Sequence, residues 1–182
     1  MAFKQRGDTL VEVLMAIVIM SVVIVGAITM MSRGLAAAQI ALEHSQVRLS
    51  INGQTELLRY LRDQYVIDNQ GGAASVWRDI ITTSNEQPSQ YGDVCRVTPV
   101  KATSAFYLEK ANNQVQKQAF DPSREPATAA VAGEGLWIEA AKSPNGISPA
   151  YTDFVIRACW QASGSGGEQR TVTAVRLYDP SR

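Results

Sequence analysis

The sequence is poor in the residues that do chemistry. Histidine occurs once, at His44, and cysteine twice, at Cys95 and Cys159, in 182 residues. One imidazole and two distant thiols cannot build a standard structural zinc site without carboxylates. Asp63, Asp68, Asp79 and Asp153 are too scattered to argue as a paired acid and base. Proline is absent before Pro88, so no pyrrolidine ring interrupts a helix in the first part of the chain. Neither charge sign dominates: Lys and Arg number 17, Asp and Glu 17. That balance gives no general electrostatic case for nucleic acid. The sharpest absence is local, for Val13 to Met31 contains no charged side chain.

That uncharged run follows a short basic leader, Met1-Ala-Phe-Lys-Gln-Arg6, then Gly7, Asp8 and Glu12. Its 19 residues span about 28 Å as a helix, roughly one hydrocarbon core. Ser21 and Thr29 are the polar side chains inside it, and their hydroxyls can bond back to their own helix. The run reads as a membrane helix. A cleaved secretory signal has a shorter apolar core and a small-residue cleavage motif; a plain signal-anchor is the alternative that fits the same composition. Glu12 separates the two readings. A charged side chain costs about 2–3 kcal/mol at a bilayer centre and less near its edge. A lone anchor gains nothing from that cost, whereas an assembling helix can meet a cation on a neighbour.

The series Gly7, Asp8-Thr9-Leu10-Val11-Glu12-Val13-Leu14 resembles the class III leader of type IV pilins and type II secretion pseudopilins. The resemblance is specific over residues 4–31 and generic beyond. It implies cleavage by a prepilin peptidase between Gly7 and Asp8, and N-methylation of the new amino terminus at Asp8. It also implies an assembly role for Glu12 as the fifth mature residue, paired with a neighbouring subunit's amine. The implied partners are other pilin subunits, the peptidase, the inner-membrane assembly platform and the membrane, with no cofactor or metal. Some minor pilins bind DNA through a local basic patch, which is not visible here. The implied location is a single-pass membrane precursor with its N-terminus cytoplasmic, then an extracellular filament. Thr9-Leu-Val-Glu-Val-Leu-Met-Ala16 is closer to minor pilins and pseudopilins than to major pilins. This chain departs from the pattern twice: Asp8 replaces an apolar first residue, and Thr29 stands where a helix-loosening proline is common.

Past the apolar run the helix is expected to continue. Leu35, Leu42 and Leu49 recur every seven residues, and Leu57, Leu58, Leu61 and Tyr65 form a second stripe. Glu43, His44, Gln46, Arg48, Asn52, Gln54 and Glu56 read as a solvated or partner-facing side. The end is placed near Asp68-Asn-Gln-Gly-Gly72, with glycine supplying left-handed C-terminal geometry. The division that follows is leader 1–7, membrane and assembly helix 8–33, amphipathic continuation 34–70 and a C-terminal α+β domain 71–182. About 150 residues outside the anchor fit one domain.

Within that domain Val76, Trp77, Ile80 and Ile81 have helical spacing. Segments 105–110 and 115–120 flank Asn112-Asn113 as a hairpin, and 136–140 is a candidate strand. Glu86–Asp93 is read as loop, 121–135 as a long surface connection and 143–146 as a turn. Asp153–Gln161 is the clearest strand: Phe154, Ile156, Ala158 and Trp160 alternate onto one face, which should lie on the helix. Arg170–Tyr178 is read as its partner across 162–167. The expected architecture is a long N-terminal helix packed on a small antiparallel sheet, α+β and pilin-like. On the oxidising side of a membrane Cys95 and Cys159 are expected to pair, the alternative being two buried free thiols. Trp77, Trp137 and Trp160 read as core. The Gly164-Ser-Gly-Gly167 run lacks the context of a nucleophile elbow or phosphate loop. Nothing in the sequence calls for an enzyme.

Overall fold

Sixty residues, Asp8–Ile67, form one uninterrupted helix, α1. The computed structural model describes residues 8–84, 95, 105–121, 130–144, 149–162 and 167–178. The loop reading at 86–93 therefore lies outside the described residues, as do most of 121–135, 145–146 of the turn at 143–146, and 163–166 of the connection at 162–167. The chain divides into two compact units, Met1–Ala41 and Leu42–Arg182. In the first, the described residues are helix throughout.

In the second unit, α1 continues to Ile67 and is followed by α2 (Gly72–Thr83). The strands are β1 (Phe106–Ala111), β2 (Gln114–Ala119), β3 (Val131–Ala132), β4 (Gly135–Lys142), β5 (Tyr151–Gln161) and β6 (Glu168–Tyr178). They make one sheet in the order β2-β1-β4-β5-β6, antiparallel throughout, with the two-residue β3 lying parallel to β4. The architecture is α+β and consistent with a pilin-like fold. The β5–β6 ladder runs unbroken from Tyr151↔Tyr178 to Gln161↔Glu168. The β1–β2 hairpin turns on Asn112 and Asn113 at φ 50° and 63°, left-handed geometry that asparagine tolerates better than other side chains bearing a Cβ.

One core joins these elements. Phe154, Ile156, Ala158 and Trp160 from β5 are fully buried with Leu136 and Ile138 of β4, Trp77 and Ile80 of α2, and Val47, Ile51, Leu58 and Leu61 of α1. Trp77 packs on Phe154 with ring centroids 5.7 Å apart. A smaller cluster holds Ala105, Phe120, Trp137 and Cys159, with Phe120 and Trp137 stacked at 4.9 Å. All three tryptophans are buried.

The second stripe of the helix, with Leu58 and Leu61, lies in the core, but the buried face is a different one from that marked by Leu35, Leu42 and Leu49. Leu35, Leu42 and Leu49 are 59%, 64% and 68% exposed, while Val47, Ile51, Gln54, Leu58 and Leu61 face the core. Positions 47 and 49 are about 200° apart around a helix, so the heptad and the core stripe cannot share a side. Of the residues assigned to a solvated or partner-facing side, Glu43, His44 and Gln54 are drawn inward. His44 is half-buried, edge-on to Trp160 at 5.1 Å, and Gln54 is 5% exposed. The glycines after α1 also act otherwise than expected: Gly71 has φ −65° at the N-cap of α2 and Gly72 is its first residue. Among the described residues the left-handed glycines are Gly133 and Gly135, at the β3–β4 turn.

Candidate functional site: the apolar helix and its acid

The first half of α1 answers a physical question: what must a helix do to live without water? Backbone groups are satisfied by the helix itself, which leaves the side chains. Ser21 Oγ donates to Ile17 O at 2.7 Å and Thr29 Oγ1 to Val25 O at 2.7 Å. Ser32 Oγ donates to Ile28 O at 3.0 Å. Each hydroxyl is paired four residues back, so none needs water. Around them the Val, Ile, Leu and Met side chains from Leu10 to Met31 are exposed. By length and composition this helix can cross a membrane, and an outward apolar surface of this kind is stable only in lipid or against other apolar helices.

Glu12 is the exception on that surface. Its side chain is exposed, and among the described residues it makes no hydrogen bond or ion pair. Asp8 opens α1. Gly7, and with it the bond to Asp8, lies outside the described residues. Among the described residues, then, the Glu12 carboxyl stands near the start of an apolar rod with no cation paired to it.

The cysteines form the second sequence-predicted feature. Cys95 and Cys159 are joined, with Cα atoms 5.7 Å apart and a sequence separation of 64. Glu168 lies close enough to both sulfurs to resemble a ligand set. With the sulfurs bonded to each other, one carboxylate is left, too few donors for a structural metal site. His44 packs against Trp160 rather than beside a nucleophile.

Sequence reasoning missed two polar arrangements. Gln54 Nε2 donates to Leu108 O and Leu108 N donates to Gln54 Oε1, each at 2.9 Å. Its place among Val47, Ile51 and Leu58 was a readable signal of burial. Glu139 is buried on β4, accepts a 2.9 Å bond from Trp137 Nε1 and lies 3.3 Å from Arg157 Nε; no local pattern marks it. On the exposed sheet face Arg176 holds Asp153 through two bonds of 2.7 and 2.8 Å. That hydrogen bonding to the Asp153 carboxylate raises the guanidinium above its ordinary range.

These features describe a membrane-anchored α+β protein whose N-terminal helix carries an acid at its head. The profile of the prokaryotic N-terminal methylation motif matches residues 3–28. That motif is the class III leader found at the N-terminus of type IV pilins and pseudopilin-like prepilins, and over those residues the chain is similar to them. No curated protein and no solved structure matches the chain.

Proposed function

We propose that the chain is a non-catalytic structural subunit, a minor pilin, of a type IV pilus or a closely related filament. In this reading prepilin peptidase cuts between Gly7 and Asp8 on the cytoplasmic side, and the freed amine of Asp8 is methylated. The assembly platform then lifts the subunit from the membrane into an extracellular filament. The observation that carries the reading is Glu12, a carboxyl without a partner among the described residues on an otherwise apolar surface. An unpaired carboxylate is penalised in a low dielectric, and the amine of an adjacent subunit removes the penalty in one register. Apolar contact between helices supplies the cohesion, and the acid–amine pair supplies the alignment. Asp8, a second carboxylate beside the amine, shares that charge and tunes the choice of neighbour.

The test is Glu12→Ala in the producing cell. The variant inserts into the membrane and loses its leader, yet is depleted about tenfold or more from sheared filaments, the scale of one lost charge pair near 1.4 kcal/mol. Incorporation equal to the unaltered chain overturns the proposed role of Glu12. A chain that keeps its leader when the peptidase is present is instead a signal-anchored extracytoplasmic domain.

A further inference from the structure

The second unit contains a groove of about 400 Å³ that the assembly reading does not use. Three elements line it. The end of α1 contributes Tyr60, Gln64 and, just beyond the helix, Asp68, at the four-residue spacing that aligns side chains along one side. The β1–β2 hairpin contributes Asn113 to Gln116, and the first turn of α2 lines it with small residues from Gly71 to Ser75.

The chemistry of this lining is selective. No lysine or arginine is among the lining residues, so an anion would meet no cation. Asp68 is the one carboxylate, and its Oδ1 already accepts the Gln70 N–H at 3.0 Å; a metal ion would lack ligands. What converges instead is primary amide: Gln64, Asn113, Gln114 and Gln116 line the groove, and among the described residues their side chains make no hydrogen bond to the protein. Each offers donors and an acceptor on a planar group. Beside them the Tyr60 ring is 47% exposed. Neutral donor–acceptor groups next to an apolar ring face match a sugar, whose neighbouring hydroxyls donate and accept while its C–H face packs on an aromatic.

Gly72, one of the lining residues, keeps this part of the groove open. A Cβ built there meets nothing within 4 Å, and its φ is not positive. Neither packing nor backbone geometry calls for glycine, and glycine is a poorer helix former than alanine. The consequence of the missing side chain is open space in the groove.

We propose that this groove is a binding site for a neutral carbohydrate, stacked on Tyr60 and hydrogen-bonded by the amides of Gln64, Asn113, Gln114 and Gln116. The site functions whether or not the chain enters a filament. The test uses the full chain in a zwitterionic detergent that carries no sugar. It is presented with neutral hexose and N-acetylhexosamine oligosaccharides, alongside sialylated and sulfated ones, and binding is followed by saturation-transfer NMR. Neutral glycans bind. Gly72→Trp, which fills the groove, and Tyr60→Ala each weaken binding about tenfold or more, while Tyr60→Phe keeps the stacking and binds within about twofold. Retention of the thermal transition and of the Cys95–Cys159 bond verifies folding of each variant. If Gly72→Trp does not fold, Tyr60→Ala on its exposed ring decides. The proposal is overturned if no neutral glycan binds, if charged glycans alone bind, or if binding survives a folded Gly72→Trp or Tyr60→Ala.

Discussion

Gln54 shows how much one side chain does in this protein. Strand β1 meets β4 at the single pair Phe106↔Ile138, so further along β1 the backbone facing β4 has no strand to bond. Leu108 lies there, buried, and both of its peptide groups are taken up by the Gln54 amide. A side chain thus replaces a strand and ties α1 to the hairpin. An unmet buried donor or acceptor costs about 1–3 kcal/mol, so Gln54→Leu is expected to lower stability by about 2–3 kcal/mol. Chemical denaturation measures the loss, and the Leu108 amide becomes faster in hydrogen exchange while the β5–β6 amides keep their protection. Uniform loosening of the whole sheet would contradict a local clasp.

At the scale of elements, the hairpin and the disulfide fix different parts of the sheet. The hairpin depends on two successive left-handed residues, the requirement of a type I′ turn. Asn113→Val brings a β-branched side chain to φ 63° and is expected to cost about 1–2 kcal/mol, whereas Asn113→Gly is tolerated; paired thermal melts distinguish them. The Cys95–Cys159 bond closes a 64-residue separation onto β5. In the chain-entropy account that closure contributes about 4 kcal/mol. Replacing both cysteines with alanine should lower the denaturation midpoint correspondingly, and adding reductant to that variant should have no further effect.

For the whole molecule, what matters is which residues build the core. Among the described residues the buried hydrophobics begin at Val47, and the helix before Ala41 belongs to its own unit. A chain lacking residues 1–32 is therefore expected to retain the disulfide and to melt within about 5 °C of the full chain, a shift near 1 kcal/mol. It should also remain in solution without detergent, because the apolar surface from Leu10 to Met31 is gone. Sedimentation and calorimetry of the two chains provide the comparison. A collapse in melting temperature would mean that the first unit supports the second.

Several elements were legible because their signals are local. A 19-residue uncharged run states its own solvent, and strict alternation through Phe154, Ile156, Ala158 and Trp160 identifies a strand with one buried face. Asn112-Asn113 announces a turn because few other residues adopt its backbone. The helix continuation was legible in existence and in its second stripe, where Leu58 and Leu61 are buried, but misleading in its first: Leu35, Leu42 and Leu49 form a regular pattern yet remain exposed, while polar Gln54 and His44 turn inward. Periodicity identifies a face of a helix, but which face is covered depends on what packs against it.

By itself the sequence determined the anchor, the acid at its head, the turn chemistry and the presence of strands, since each rests on residues within a few positions of one another. Tertiary structure alone decided the strand order β2-β1-β4-β5-β6, the burial of Glu139, the Gln54 clasp and the meeting of Tyr60, Gly72 and Gln116 around one groove. Those arrangements join residues far apart in the chain, and contact between distant residues is set by packing the whole core at once rather than by any local preference.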